Sequence, residues 1–137
     1  MKTGSINIII EDGKTPSVEA ELVNGNLWMG KYDIAKLFNC FPQKVEANLR
    51  SIFKNRLLWE EEVSQTYRYT DKGIEKQTVY FNLEVLIFLS YRIVSFEAQI
   101  FRQFVNAALR ELLQKQQTRE TLKMMWYFRK NQNYWLN

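Results

Sequence analysis

Residues 42–54 carry Gln43, Lys44, Ala47 and Asn48, which a helix would gather on the early part of one outward face. Two amides and an ammonium so placed suit hydrogen bonding to base edges in a DNA major groove, Gln and Asn with adenine and Lys with guanine. Arg50, Lys54 and Arg56, with Lys31 and Lys36 just upstream, are the cations suited to phosphate contacts. Glu46 falls in the same face, where its charge opposes the phosphate backbone unless it reads a cytosine amino group. Other chemistries have less to work with. The chain has no histidine, which removes imidazole acid/base catalysis, Ser/His/Asp and Cys/His nucleophiles, and zinc patterns that need imidazole. Cys40 lacks a base to activate it and reads as a small buried thiol. The run Glu60-Glu61-Glu62 reads as a solvated loop, and Glu84 is explained by the dipole of the helix it opens. With no glycine-rich phosphate loop either, we expect no enzyme, no metal and no cofactor.

The bases that carry this reading are localised. Residues 31–59 hold six bases and two acids, and residues 98–137 hold seven and two, whereas the segments 1–30 and 60–97 are net acidic. Two basic blocks of this kind favour a polyanion partner over a uniformly solvated surface only in part, because a solvated helix face also produces them. At 137 residues, 46% hydrophobic and 25% charged, with two prolines and five glycines, the chain has the composition of a globular domain. A single cysteine, no signal-peptide layout at the N-terminus and no long apolar run predict a cytoplasmic protein that does not enter a membrane.

The elements that must position the basic helix can be read along the chain. Ser5–Ile10 is a β-branched strand closed by Glu11–Lys14. Ser17–Val23 alternates Val18, Ala20 and Leu22 with glutamates, and Asn24-Gly25 predicts a hairpin turn into Leu27–Met29. From Lys31 the period becomes helical, with Tyr32, Ile34, Ala35, Leu37 and Phe38 on one face and Asn39 as a left-handed cap. Pro42 opens the second helix, in which Val45, Leu49, Ile52 and Phe53 face inward. Residues 65–70 and 77–81 form a hairpin around Asp71-Lys72-Gly73 with a loop of three residues or slightly more. Asn82 caps a buried helix from Leu83 to about Ile93. A longer helix follows from Ser95, with Ile100, Phe101, Phe104, Val105, Ala108, Leu109, Leu112 and Leu113 on one stripe.

Lys31–Lys54 therefore has the layout of a helix-turn-helix: a short helix, Ala35 where two helices approach, a tight turn, and a second helix with its polar face outward. The same pattern also fits two amphipathic helices that pack together without a nucleic acid partner. In the DNA-binding case the following hairpin, with Arg68, Lys72 and Lys76, is a candidate wing.

Residues 80–93, YFNLEVLIFLSYRI, resemble the signature segment of the RhuM-like virulence protein family, with its aromatic pair, Asn-Leu, acidic residue and apolar run leading into Tyr-Arg. Residues 32–38 and 49–53 also resemble that family's N-terminal helix-turn-helix, and Phe101-Arg102 with Leu109–Leu113 resembles the helix that follows, so the similarity spans about Leu27–Leu113. The resemblance implies a bacterial DNA-binding protein, commonly encoded beside restriction-modification systems or on mobile elements, without an established catalytic activity. Asn39 stands where the family usually has Gly, and the second helix departs from the family's Ser/Thr/Arg/His series.

The expected fold is α+β: small antiparallel sheets or hairpins, a helix-turn-helix and C-terminal amphipathic helices. Residues 1–115 form the domain, and 116–137 an aromatic and basic tail or an extension of it. Phe101, Phe104, Leu109, Leu112 and Trp126 are the candidate dimer or partner surface. The function expected is duplex-DNA binding by a homodimer that regulates transcription on a mobile element or restriction-modification locus. The competing expectation is a protein-interaction module in which the helix pair is structural and the C-terminal helix docks a partner. A third, single-strand binding through Tyr80, Phe81, Tyr91 and Arg92, competes with plain core packing of those residues.

Overall fold

The computed structural model describes residues 2–116. It has an α+β architecture with five helices and two small antiparallel sheets among those residues. By compactness the chain divides into two units, Met1–Phe104 and Val105–Asn137.

In the first unit, strands β1 (Ser5–Ile9) and β2 (Ser17–Glu21) pair antiparallel, Ser5 opposite Glu21. Only Ile6 of this pair is buried, and the alternation of Val18, Ala20 and Leu22 does not produce an inward face: Ala20 and Leu22 are exposed. The Asn24-Gly25 turn forms as its residues require, with both φ values positive (53° and 76°) and Val23 and Asn26 exchanging backbone hydrogen bonds of 2.8 and 3.1 Å. The expected hairpin stops there. The chain beyond the turn becomes β3 (Trp28–Gly30), which joins a different sheet of order β3-β5-β4.

Helix α1 (Lys31–Leu37) buries Ile34 and Ala35, and Phe38 behind them, while Tyr32, expected on the apolar face, is exposed. Tyr32 lies two positions before Ile34, on roughly the opposite side of the helix, so the core that takes Ile34 does not take Tyr32. The helix ends in a Schellman arrangement: the Cys40 N–H donates to the Ala35 carbonyl (2.9 Å) and the Asn39 N–H to that of Lys36 (3.2 Å), with Asn39 left-handed at φ 49°. Helix α2 (Pro42–Lys54) has proline in its first turn and buries Val45, Leu49 and Ile52. It ends in the same way, with Arg56 at φ 55° and the Leu57 N–H bonded to the Ile52 carbonyl.

Glu60-Glu61-Glu62 is not a loop but one helical turn, α3 (Glu60–Val63), anchored by buried Val63. Strands β4 (Ser64–Asp71) and β5 (Ile74–Asn82) then form a hairpin longer than expected, with Asp71 opposite Ile74. The connection is therefore the two residues Lys72-Gly73, both at positive φ, rather than three or more. Asn82 caps α4 (Leu83–Arg92), its Oδ1 accepting from the Val85 N–H at 3.3 Å. Asn26 Oδ1 accepts from the Leu83 N–H at 3.1 Å and so ties the Asn24-Gly25 turn to this helix.

Helix α5 (Phe96–Gln116) starts after Ser95, whose Oγ accepts from the Ala98 N–H at 3.0 Å. In its first turns Ala98, Ile100 and Phe101 are buried, and Phe101 meets Phe38 edge to face at 5.5 Å. Phe101 is consequently core, which corrects its assignment to a dimer or partner surface. The Arg102 Nη1 donates to the Ser90 carbonyl and, at 3.5 Å, to that of Ile93, supplying donors to the C-terminal end of α4. In the second unit, Leu109, Leu112 and Leu113 of α5 are exposed, and Lys115 pairs with Glu111 at 3.1 Å. Trp126 and the rest of the tail lie outside the described residues.

Candidate nucleic-acid interface

On α2 the three buried positions, Val45, Leu49 and Ile52, fix which way the other side chains point. Gln43, Ala47, Arg50 and Lys54, spaced by four, three and four, run along the opposite side and are all exposed, with Lys44 exposed at its edge. The Arg50 guanidinium and the Lys44 and Lys54 ammonium groups make no hydrogen bond or ion pair among the described residues. Lys36 is exposed on α1.

Two of the expected contact residues are committed elsewhere. Asn48 lies on the flank of α2 that meets α4: its Oδ1 accepts from Arg92 Nε at 3.1 Å and its Nδ2 donates to the Lys44 carbonyl at 2.9 Å. Arg92 Nη2 also donates to Ser51 Oγ at 2.8 Å, so one guanidinium fastens α4 to two consecutive turns of α2. Lys31 lies at the start of α1, where its Nζ donates to Glu46 Oε1 on the other flank of α2 and sits over the Tyr32 ring at 5.0 Å. The charge of Glu46, expected to oppose DNA or to read cytosine, is thus matched within the protein.

The hydrogen bond from Lys31 holds the Glu46 carboxyl below the usual carboxylate range, and the same bond holds the Lys31 ammonium above the usual lysine value. Glu46 stabilises the fold fully above its unfolded pKa and loses that contribution as the pH falls through its lowered folded value. Lys31 contributes fully below its unfolded pKa and loses it as the pH rises through its raised folded value. We expect the melting temperature of the native chain to exceed that of Glu46→Gln by a constant margin near neutrality, shrinking in acid and again in strong alkali. A margin that does not vary with pH would remove the ion pair from the fold's energetics.

The remaining cations are spread over other surfaces. Arg56, at the left-handed end of α2, stacks on the Trp59 ring at 5.3 Å. In the hairpin, Arg68 is opposite Gln77 and Lys76 is opposite Tyr69 on the next position, so alternation puts Arg68 and Lys76 on different faces. Lys76 pairs with Asp71 at 2.9 Å, and exposed Lys72 is in the turn. The three do not make one basic wing. The face that carries Arg68 also carries Gln77, Val79 and Phe81, which line a groove of about 830 Å³ against Glu46, Arg50 and Phe53 of α2. The other face stacks Tyr67 on Tyr69 at 6.0 Å and sets Tyr67 against Tyr80 at 6.4 Å.

Cys40, in the turn between α1 and α2, is half-buried, and burial pushes its thiol up while Lys44 pulls it partly back. Phe41, beside it, is 79% exposed, a feature that the sequence reading did not single out. No helix among the described residues is long and apolar enough to cross a membrane. Comparison with protein-family models, with curated proteins and with solved structures finds no match to this chain.

Proposed function

We propose that this chain binds duplex DNA, with α1, the turn 38–41 and α2 acting as a helix-turn-helix and α2 as its reading helix. The observation that carries the proposal is the stripe Gln43, Ala47, Arg50 and Lys54 with Lys44 beside it, a solvent-facing row whose amide and cationic groups make no hydrogen bond or salt bridge among the described residues. Base readout falls to Gln43, Lys44 and Ala47, and phosphate contact to Arg50, Lys54 and Lys36. Asn48 and Lys31 act indirectly, by fixing α2 against α4 and α1. The resemblance to the RhuM-like virulence protein family agrees with this reading, and with a regulator of transcription acting in a bacterial cytoplasm from a mobile element or restriction-modification locus.

A homodimer is part of the proposal, because exposed Leu109, Leu112 and Leu113 offer an apolar stripe on α5. That stripe also favours the second reading, in which α5 docks another protein and the helix pair is structural. Fluorescence anisotropy of a labelled mixed-sequence duplex, titrated at several salt concentrations, separates them. We expect micromolar binding whose logarithm falls linearly with the logarithm of salt, at about 0.9 per phosphate neutralised. No binding at low salt would overturn the DNA-binding reading.

A further inference from the structure

Resting on the duplex-DNA reading, we propose that Phe41 is a specificity-determining residue whose ring packs on thymine 5-methyl groups in the major groove. At 79% exposure, Phe41 is the most exposed aromatic side chain among the described residues. Among the described residues the fold does not use it: Phe38, three residues earlier, fills the core between α1 and α5, while Phe41 lies outside the buried core.

Its place is nevertheless fixed. Phe41 is the residue immediately before Pro42, with an extended backbone (φ −72°, ψ 144°), and its carbonyl accepts from the Lys44 N–H at 2.9 Å. It therefore stands at the leading end of the exposed stripe, where a reading helix first meets base edges.

The chemistry of the groove selects the partner. Thymine alone among the bases presents an apolar group there, and an aromatic ring is one of the side chains that pack on it. Gln43, two residues on and exposed, has the amide that pairs with adenine N6 and N7. Ring and amide together address the two halves of an A·T pair, so the front of α2 favours A·T-rich duplex.

The test uses the full chain and two duplexes of one A/T-rich sequence, one containing thymine and the other uracil, which lacks the methyl. For the native chain we expect roughly fourfold weaker binding to the uracil duplex for each methyl contacted, the value of burying one such carbon. Phe41→Ala should bind the thymine duplex more weakly by the same factor and no longer distinguish the two. Phe41→Leu, which keeps an apolar side chain, should retain the distinction, and the melting temperature of both variants should stay that of the native chain. Equal binding of both duplexes by the native chain would overturn the role of Phe41 while leaving the duplex-DNA reading intact. So would Phe41→Ala that still discriminates, or one that instead loses self-association in sedimentation. No binding of either duplex at low salt would overturn both readings.

Discussion

Phe38→Ala is expected to cost about 3–5 kcal/mol of stability, the range for emptying a fully buried aromatic site. The ring is completely buried at the end of α1, against the edge of Phe101, and it marks the point from which the chain turns into α2. Its removal takes away apolar burial, the aromatic pair and the packing that holds the left-handed turn at Asn39 in place. Urea denaturation followed by circular dichroism measures the loss. Phe101→Ala should cost a similar amount, and the double variant less than the two together, because the rings meet each other. Protein concentration separates core from interface: if Phe101 belonged to a contact between copies, its effect would fade on dilution, whereas a core residue loses the same amount at any concentration. A loss below about 1 kcal/mol for Phe38→Ala would mean that the helix pair does not depend on this packing.

The second large effect is on binding. Lys44→Glu combined with Arg50→Glu should weaken duplex binding by about a hundredfold or more and flatten its salt dependence by roughly one in slope, the share of the Arg50 phosphate contact, while the melting temperature hardly moves. Both side chains are exposed and neither makes a hydrogen bond or ion pair among the described residues, so the fold loses little. Lys44 is in the first turn of α2, where a carboxylate even favours the helix dipole. Lys14→Glu is the control, since Lys14 lies in the turn after β1, paired with Glu11, and belongs to neither α1 nor α2, so its reversal should leave binding within about twofold. Unchanged affinity in the double variant would remove α2 from the contact surface. A protein partner captured equally well by native and reversed chains would favour the interaction-module reading.

Much of the local structure was legible because single residues decide it. Pro42 opened α2, Asn39 took the left-handed position, Asn82 capped α4, and Asn24-Gly25 set a tight turn where it was expected. What escaped were partnerships across sequence distance. Glu46 looked like a repulsive charge because its partner Lys31 lies fifteen positions earlier, and the two meet only once α1 packs on α2. Asn48 looked like a readout residue because Arg92, which takes its oxygen, lies forty-four positions later. The Asn24-Gly25 turn was correct, but the pairing beyond it was not, since β3 finds its register with β5 and not with β2. Helical spacing alone also could not divide the α5 stripe: Phe101 and Leu109 share it, yet one is core and the other exposed.

The bond from Arg92 to Asn48 and Ser51 also limits how such a helix can diverge. Positions 43, 44, 47, 50 and 54 are exposed and their side chains make no hydrogen bond or salt bridge among the described residues, so their chemistry can change at little cost to the fold. Position 48 is not free, since an altered side chain there strands a guanidinium donor that two helices share. A lineage that acquired a new target sequence would therefore drift at the outward five positions and hold Asn48, Ser51 and Arg92 together as a set, gained or lost as one.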